Sequence, residues 1–140
     1  MNCLKLKPSW TKGGIGRRLE GINDEQRKWL IKANKQVPAG QSLIPNDRTY
    51  KQHLSHYQLQ TKQMGINKCH GLRHAYAQRR YHELTKQFDP NKIGLLPPIQ
   101  GGKASNLLSN IEKAIDLRAR GIISLEMGHS RISIVKIYCG

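Results

Sequence analysis

The chain has 140 residues, enough for one domain around one core and too few for two. Lysine and arginine number 24 against 9 acids, a formal charge of +15, with 17 basic and 6 acidic residues up to Asp89 and 7 and 3 beyond it. A charge spread that evenly is not a basic tail on a neutral body. It points to a polyanionic partner, nucleic acid by default, with an anionic membrane surface or unspecific basicity as the competing readings. The three cysteines, Cys3, Cys69 and Cys139, are far apart, odd in number and form no Cys-x-x-Cys pair. They exclude a disulfide framework and favour a reducing compartment. No apolar run approaches the roughly 18 residues of a spanning helix, and no signal-type segment opens the chain, so a cytoplasmic protein is expected.

Residues 2–22 read as a β-hairpin. Leu4 and Leu6 alternate with Lys5 and Lys7, Thr11-Lys12-Gly13-Gly14 supplies turn residues, and residues 15–22 return. Lys12 projects from the tip. Asn23 with Gln26 three residues on is a capping-box signature, and Asp24 and Glu25 suit the first turn of a helix over about 24–36. Trp29, Leu30 and Ala33 give it an apolar face, and Pro38 and Gly40 follow its end. Asp47 can cap a second helix, in which Tyr50, Leu54, Tyr57, Thr61 and Met64 share one face and Gly65 is the stop.

A third helix is expected from Gly71 to about Lys86, with Leu72, Ala75 and Tyr76 toward the core, and Asp89-Pro90 breaks it. Residues 89–105 hold Pro90, Pro97, Pro98, Gly94, Gly101 and Gly102, and read as a loop insertion within the same domain. Leu107, Leu108, Ile111, Ala114 and Ile115 mark a helix to about Arg120, stopped by Gly121. Residues 122–127 then form a short apolar, helical segment. Gly128-His129-Ser130 is a break from which Ser130 can cap a last element. For residues 131–138 periodicity leaves helix and strand open.

One stretch carries the densest chemistry: Cys69-His70-Gly71-Leu72-Arg73-His74. On a helix His70 and Arg73 are neighbours, being three apart. A guanidinium beside an imidazole can grip a phosphate and move a proton. Surface decoration is the plain alternative, and His53, His56, Cys69, His70 and His74 also admit a metal reading, although no pair has zinc-finger spacing.

The chain's two ends sharpen this. Gly128-His129-Ser130 followed nine residues after the histidine by Tyr138 resembles the closing signature of the tyrosine recombinases, the phage integrase family. His70-Gly71-Leu72-Arg73 resembles that family's His-x-x-Arg box, and the Thr11–Gly14 tip resembles the hairpin that holds its active-site lysine. The three occur in the family's order. The resemblance implies an α+β, mainly α, catalytic-type fold of DNA breaking and rejoining, with the hairpin packed on a helical bundle. It implies a single partial catalytic domain over 1–140: hairpin 1–22, helices 23–88, loop insertion 89–105 and helices 106–140.

It also implies the chemistry. Tyr138 would attack a scissile phosphate and form a 3′-phosphotyrosyl ester, with a 5′-hydroxyl released and no ATP, metal or other cofactor required. Arg73 would hold the non-bridging oxygens, His129 would donate to one of them, His70 would act as base or positioner, and Lys12 would protonate the leaving oxygen. A free phenol titrates near pH 10, so such assistance is needed at neutral pH. Arg17, Arg79, Arg80 and Arg131 are the expected contacts to double-stranded DNA. A tetramer on DNA, in the nucleoid, follows from the family. Two departures temper the expectation. The stretch over residues 86–120 is longer than usual, and the family's first arginine, with the acidic residue that follows it, has no counterpart ahead of the hairpin. A missing donor of this kind costs about 3–4 kcal/mol of transition-state stabilisation. The expectation is therefore a form truncated at the N-terminus and weakly active or inactive in site-specific recombination. The alternative is a non-enzymatic basic module that binds DNA or RNA.

Overall fold

The computed structural model describes residues 3–11, 14–66 and 70–140, with Trp10 described by its backbone alone. Lys12 and Cys69 lie outside the described residues. In chain order the elements are β1 (Leu4–Leu6), β2 (Arg17–Leu19), α1 (Asp24–Asn34), α2 (Tyr50–Gln63), α3 (His70–Phe88), α4 (Asn110–Met127) and α5 (Lys136–Cys139). Single 3-10 turns occupy Pro8–Trp10, Pro98–Gln100, Ser105–Leu107 and Ile132–Val135. Helix accounts for 59% and strand for 5%, so the chain is mainly helical with a small two-stranded sheet. It divides into two compact units, residues 22–69 and residues 1–21 together with 70–140. Among the described residues no helix is long and apolar enough to cross a membrane.

In the 22–69 unit both helices begin with reciprocal capping boxes. Asn23 Oδ1 accepts from the Gln26 amide at 2.8 Å and Gln26 Oε1 accepts from the Asn23 amide at 3.1 Å. The second helix is capped by Thr49, paired in the same way with Gln52, and not by Asp47. Asp47 stands two residues too early to meet the orphan amides of a helix that begins at Tyr50. Gly65, at φ +78°, ends α2 with two backbone bonds, Gly65 N–H to Lys62 O and Ile66 N–H to Thr61 O. Neither helix buries a residue; Trp29, Tyr50 and Met64 of the apolar faces stand exposed.

The second unit carries the core. β1 and β2 pair antiparallel, Leu4 opposite Leu19 and Leu6 opposite Arg17, and β2 packs on α4. α3 turns Ala77, Tyr81, Leu84 and Thr85 inward, at spacings of four, three and one. Leu72 and Ala75 are exposed instead of facing the core. Tyr76 is half-buried and packs at the core's edge. α4 answers with Ile115, Ala119, Ile123 and Met127, one residue per turn.

α4 begins at Ser109, which caps it in a capping box with Glu112, so Leu107 and Leu108 precede the helix. It runs without interruption through Gly121 to Met127. Helical glycine costs about 1 kcal/mol relative to alanine, and buried residues on both sides of Gly121 outweigh that. Under α4 lies a buried polar knot. Tyr81 OH donates to Asp116 Oδ1, Arg120 Nε donates to the same oxygen at 2.8 Å, and Arg120 Nη2 donates to Gly140 O at 2.8 Å. The last element is helical, a 3-10 turn leading into α5. No side chain caps that turn, so Ser130 does not take the capping role.

Candidate functional site

The first turn of α3 and the last turn of α4 meet at Arg73. A helix end leaves carbonyls without amide partners and carries partial negative charge. Arg73 Nη2 donates to Met127 O at 3.0 Å and so satisfies one of them. Arg73 Nε is buried and has no partner among the described residues.

The end of α4 also sets His129. Gly128 adopts φ +74°, which a side chain disfavours. Its amide donates to Leu125 O at 3.0 Å and the His129 amide to Ser124 O at 2.8 Å, the double closure of a Schellman motif. Ser124 Oγ lies 3.2 Å from His129 O and 3.1 Å from Arg131 O, which ties the exit of the turn to α4. The imidazole is thereby held against α3 and α5. His129 Nε2 is 3.4 Å from Arg73 Nη2 and 3.4 Å from Tyr138 OH. Arginine can only donate, so Nε2 faces it as an acceptor and the ring proton belongs on Nδ1.

Tyr138 is buried and reaches His129 from α5. The His74 ring meets the phenol ring edge-on, centroids 4.9 Å apart, and the His129 ring stacks on it at 5.8 Å. Gln78 Nε2 donates to Tyr138 O at 3.0 Å, and Arg120 holds Gly140 O beyond it. Gln78 and His74 escape a search for reactive residues: they orient the tyrosine through its backbone and ring. The only trace of His74 in the sequence is its place directly after Arg73.

A second cation approaches from the sheet. Arg17 alternates along β2 with the exposed Arg18, and is half-buried. Its guanidinium lies over Gly128, where a β-carbon would collide with it. Arg17 Nε is buried and without a partner among the described residues. Burial, then Arg73, then Arg17 hold His129 below the ordinary imidazole range, so the neutral ring is favoured. The site thus has two cations and a neutral imidazole beside a phenol.

The other expected residues are distributed differently. His70 is the exposed first residue of α3, and among the described residues no hydrogen bond joins it to Arg73, His129 or Tyr138. Lys12 lies outside the described residues. Arg131 is exposed, and Arg79 pairs at 3.5 Å with Glu83 on the surface. Arg80 does not face outward as a DNA contact. It donates through Nε and Nη2 to Glu126, at 2.8 Å for the shortest bond, while Tyr76 OH donates to the same carboxylate at 2.8 Å. Glu126 is nearly buried, and these donors are what a buried carboxylate requires. Its charge in turn, after burial itself, drives the Tyr76 phenol above its ordinary range. Among the described residues no group of three or more histidine, cysteine or acidic side chains is placed to hold a metal. Compared with models of protein families, with curated proteins and with solved structures, the chain finds no match in any of the three.

Proposed function

We propose that this site transfers a phosphoryl group of DNA to Tyr138, cutting and rejoining strands as a tyrosine recombinase does. The observation that carries the reading is the position of His129 Nε2, 3.4 Å from both the Arg73 guanidinium and the Tyr138 hydroxyl. A nucleophile, a proton acceptor and a cation come together there from three segments that the sequence keeps up to 65 residues apart. A packed terminal tyrosine would need neither of the other two.

The geometry favours His129 as the group that takes the phenol's proton, ahead of the exposed His70. The 3.4 Å separation is longer than a good hydrogen bond and has to close when substrate seats, or be bridged by one water. The phenolate oxygen attacks phosphorus, the bond from phosphorus to the 5′-oxygen breaks, and the 5′-oxygen leaves with a proton. The ester on Tyr138 keeps the energy for the reverse step. Arg73 neutralises charge that builds on the non-bridging oxygens of the five-coordinate transition state. Its buried Nε has no partner among the described residues. The resemblance gives Lys12 the role of acid for the leaving oxygen. The net charge of +15 supplies affinity for the duplex that falls steeply with salt.

The test is a pool of short nicked duplexes with randomised flanks, incubated with the chain and separated under denaturing conditions. Slow accumulation of a covalent adduct is expected, with a nucleotide on the Tyr138 peptide by mass spectrometry, lost in Tyr138→Phe. Salt-sensitive binding with no adduct at any time would refute the reading in favour of a non-catalytic nucleic-acid module.

A further inference from the structure

The loop between α3 and α4 is held more firmly than a simple connection requires. Leu95 is fastened to α3 through both of its backbone groups: its amide donates to the buried Thr85 Oγ1 at 2.9 Å, and its carbonyl faces His82 Nδ1 at 3.2 Å. Pro97 is fully buried, and its carbonyl accepts from the Gln100 amide at 2.8 Å and from the Gly102 amide at 3.1 Å. A β-carbon on Gly102 would collide with Leu96 O, so the turn closes this tightly only with glycine there. A loop with its backbone groups satisfied and its proline buried has little freedom to open.

That turn bears on the nucleophile's helix. The 3-10 turn Pro98–Gln100 packs on α5, and a β-carbon on Gly140 would stand 3.0 Å from Ile99 N and 3.0 Å from Pro98 Cβ. From the turn, Gln100 Nε2 donates to Gln78 Oε1 at 2.9 Å, and Gln78 Nε2 donates to Tyr138 O at 3.0 Å. The order of donors is forced. A carbonyl only accepts, so Gln78 turns its nitrogen to Tyr138 and its oxygen to Gln100, which must then donate. Without that donor, the Tyr138 carbonyl alone orients the half-buried Gln78 amide, and water competes for its other end. A phenol 3.4 Å from its proton acceptor is sensitive to a small shift of the helix that carries it.

We infer that Gln100 is a positioning residue for Tyr138: acting through Gln78, the loop over residues 94–102 fixes where α5 holds its phenol. The use made of the phenol rests on the phosphoryl-transfer reading; the relay itself does not. The long stretch between α3 and α4 thereby has a task at the site.

The test reads the Tyr138 carbonyl ¹³C signal and the Gln78 side-chain amide signals of the isotope-labelled full chain, and beside them adduct formation on nicked duplexes at saturating DNA. Gln100 is exposed, so its substitution spares the core. Gln100→Ala should move both sets of signals, and so should Gln100→Glu, which keeps the size but has no donor at neutral pH. Gln100→Lys, which still donates to Gln78 Oε1, should return most of the way. Adduct formation in Gln100→Ala should fall about three- to tenfold, the scale of one net hydrogen bond, with duplex affinity unchanged, and Gln100→Lys should recover most of the rate. A Tyr138 carbonyl signal that stays in place in Gln100→Ala, or that moves as far in Gln100→Lys, overturns the inference whatever happens to the DNA. Moved signals with the adduct rate at saturation unchanged overturn it too. Moved signals in a chain whose parent forms no adduct uphold the relay and remove the cleavage reading instead.

Discussion

Gly128 meets two demands that one substitution can separate. Its φ of +74° penalises any side chain, and the place of its absent β-carbon is taken up by the Arg17 guanidinium. Alanine in the left-handed region costs about 1–2 kcal/mol. The second demand adds little to stability, because a guanidinium at the end of a flexible stem can swing aside. Gly101 provides the control in the same unit. It has φ +88° and nothing within 4 Å of the point where a β-carbon would stand, so Gly101→Ala carries the backbone cost alone. Both variants should lose about 1–2 kcal/mol in urea unfolding, with a thermal midpoint several degrees lower. Only Gly128→Ala should disturb the site. With Arg17 displaced, one of the two cations that depress His129 is gone, and the imidazole should titrate closer to its ordinary value by ¹H–¹³C NMR, while Gly101→Ala leaves it in place. Should Gly128→Ala keep the parental His129 titration and the parental Arg17 Nε–Hε signal, Arg17 does not owe its place to the space at Gly128.

Four further outcomes follow. Arg80→Ala should destabilise the unit by about 3–5 kcal/mol in urea unfolding, because it strands the Glu126 carboxylate, whereas the double variant Arg80→Met with Glu126→Leu should recover most of the loss. The folded His129 pKa lies below the unfolded value near 6.5, so the unfolded chain binds the proton first and stability falls as pH drops from about 6.5 toward the folded pKa. Arg73→Gln should raise the folded midpoint and shrink that pH dependence. Thr49→Ala should cost α2 about 1 kcal/mol, read by amide exchange at its first turn, and Asp47→Ala should cost almost nothing there. Gly121→Ala should stabilise by about 0.5–1 kcal/mol, since its φ is ordinary and the nearest atom to an added β-carbon, Ile132 Cδ1, would be 3.8 Å away.

Local chemistry was legible wherever the partners sit within one turn. The Asn23–Gln26 box, the Gly65 stop and a strand pair at the start of the chain are all written in short stretches, and each is present. Where expectation and structure differ, the difference lies in what stands opposite. Gly121 looks like a terminator until the packing on both sides of it is known. Arg80 looks like a DNA contact until Glu126, 46 residues later, faces it. The inward face of α3 differs from the expected one because Leu72 and Ala75 fall outside the Ala77, Tyr81 and Leu84 stripe that meets α4. At the site, Arg73, His129 and Tyr138 could be named from short motifs. His74 and Gln78 could not, because ring packing and a bond to a backbone carbonyl leave no mark in residue spacing.

The bonds that complete the site span long stretches of chain: 54 residues from Arg73 to Met127, 56 from Arg73 to His129 and 60 from Gln78 to Tyr138. Closing loops of that size costs entropy before any contact repays it, and such contacts slow folding. During synthesis, Arg73 emerges well before the Met127 carbonyl that it holds. The neighbours of Tyr138 are set only when α3, α4 and α5 have docked. The meeting of guanidinium, imidazole and phenol therefore belongs to the finished unit and to no single helix of it.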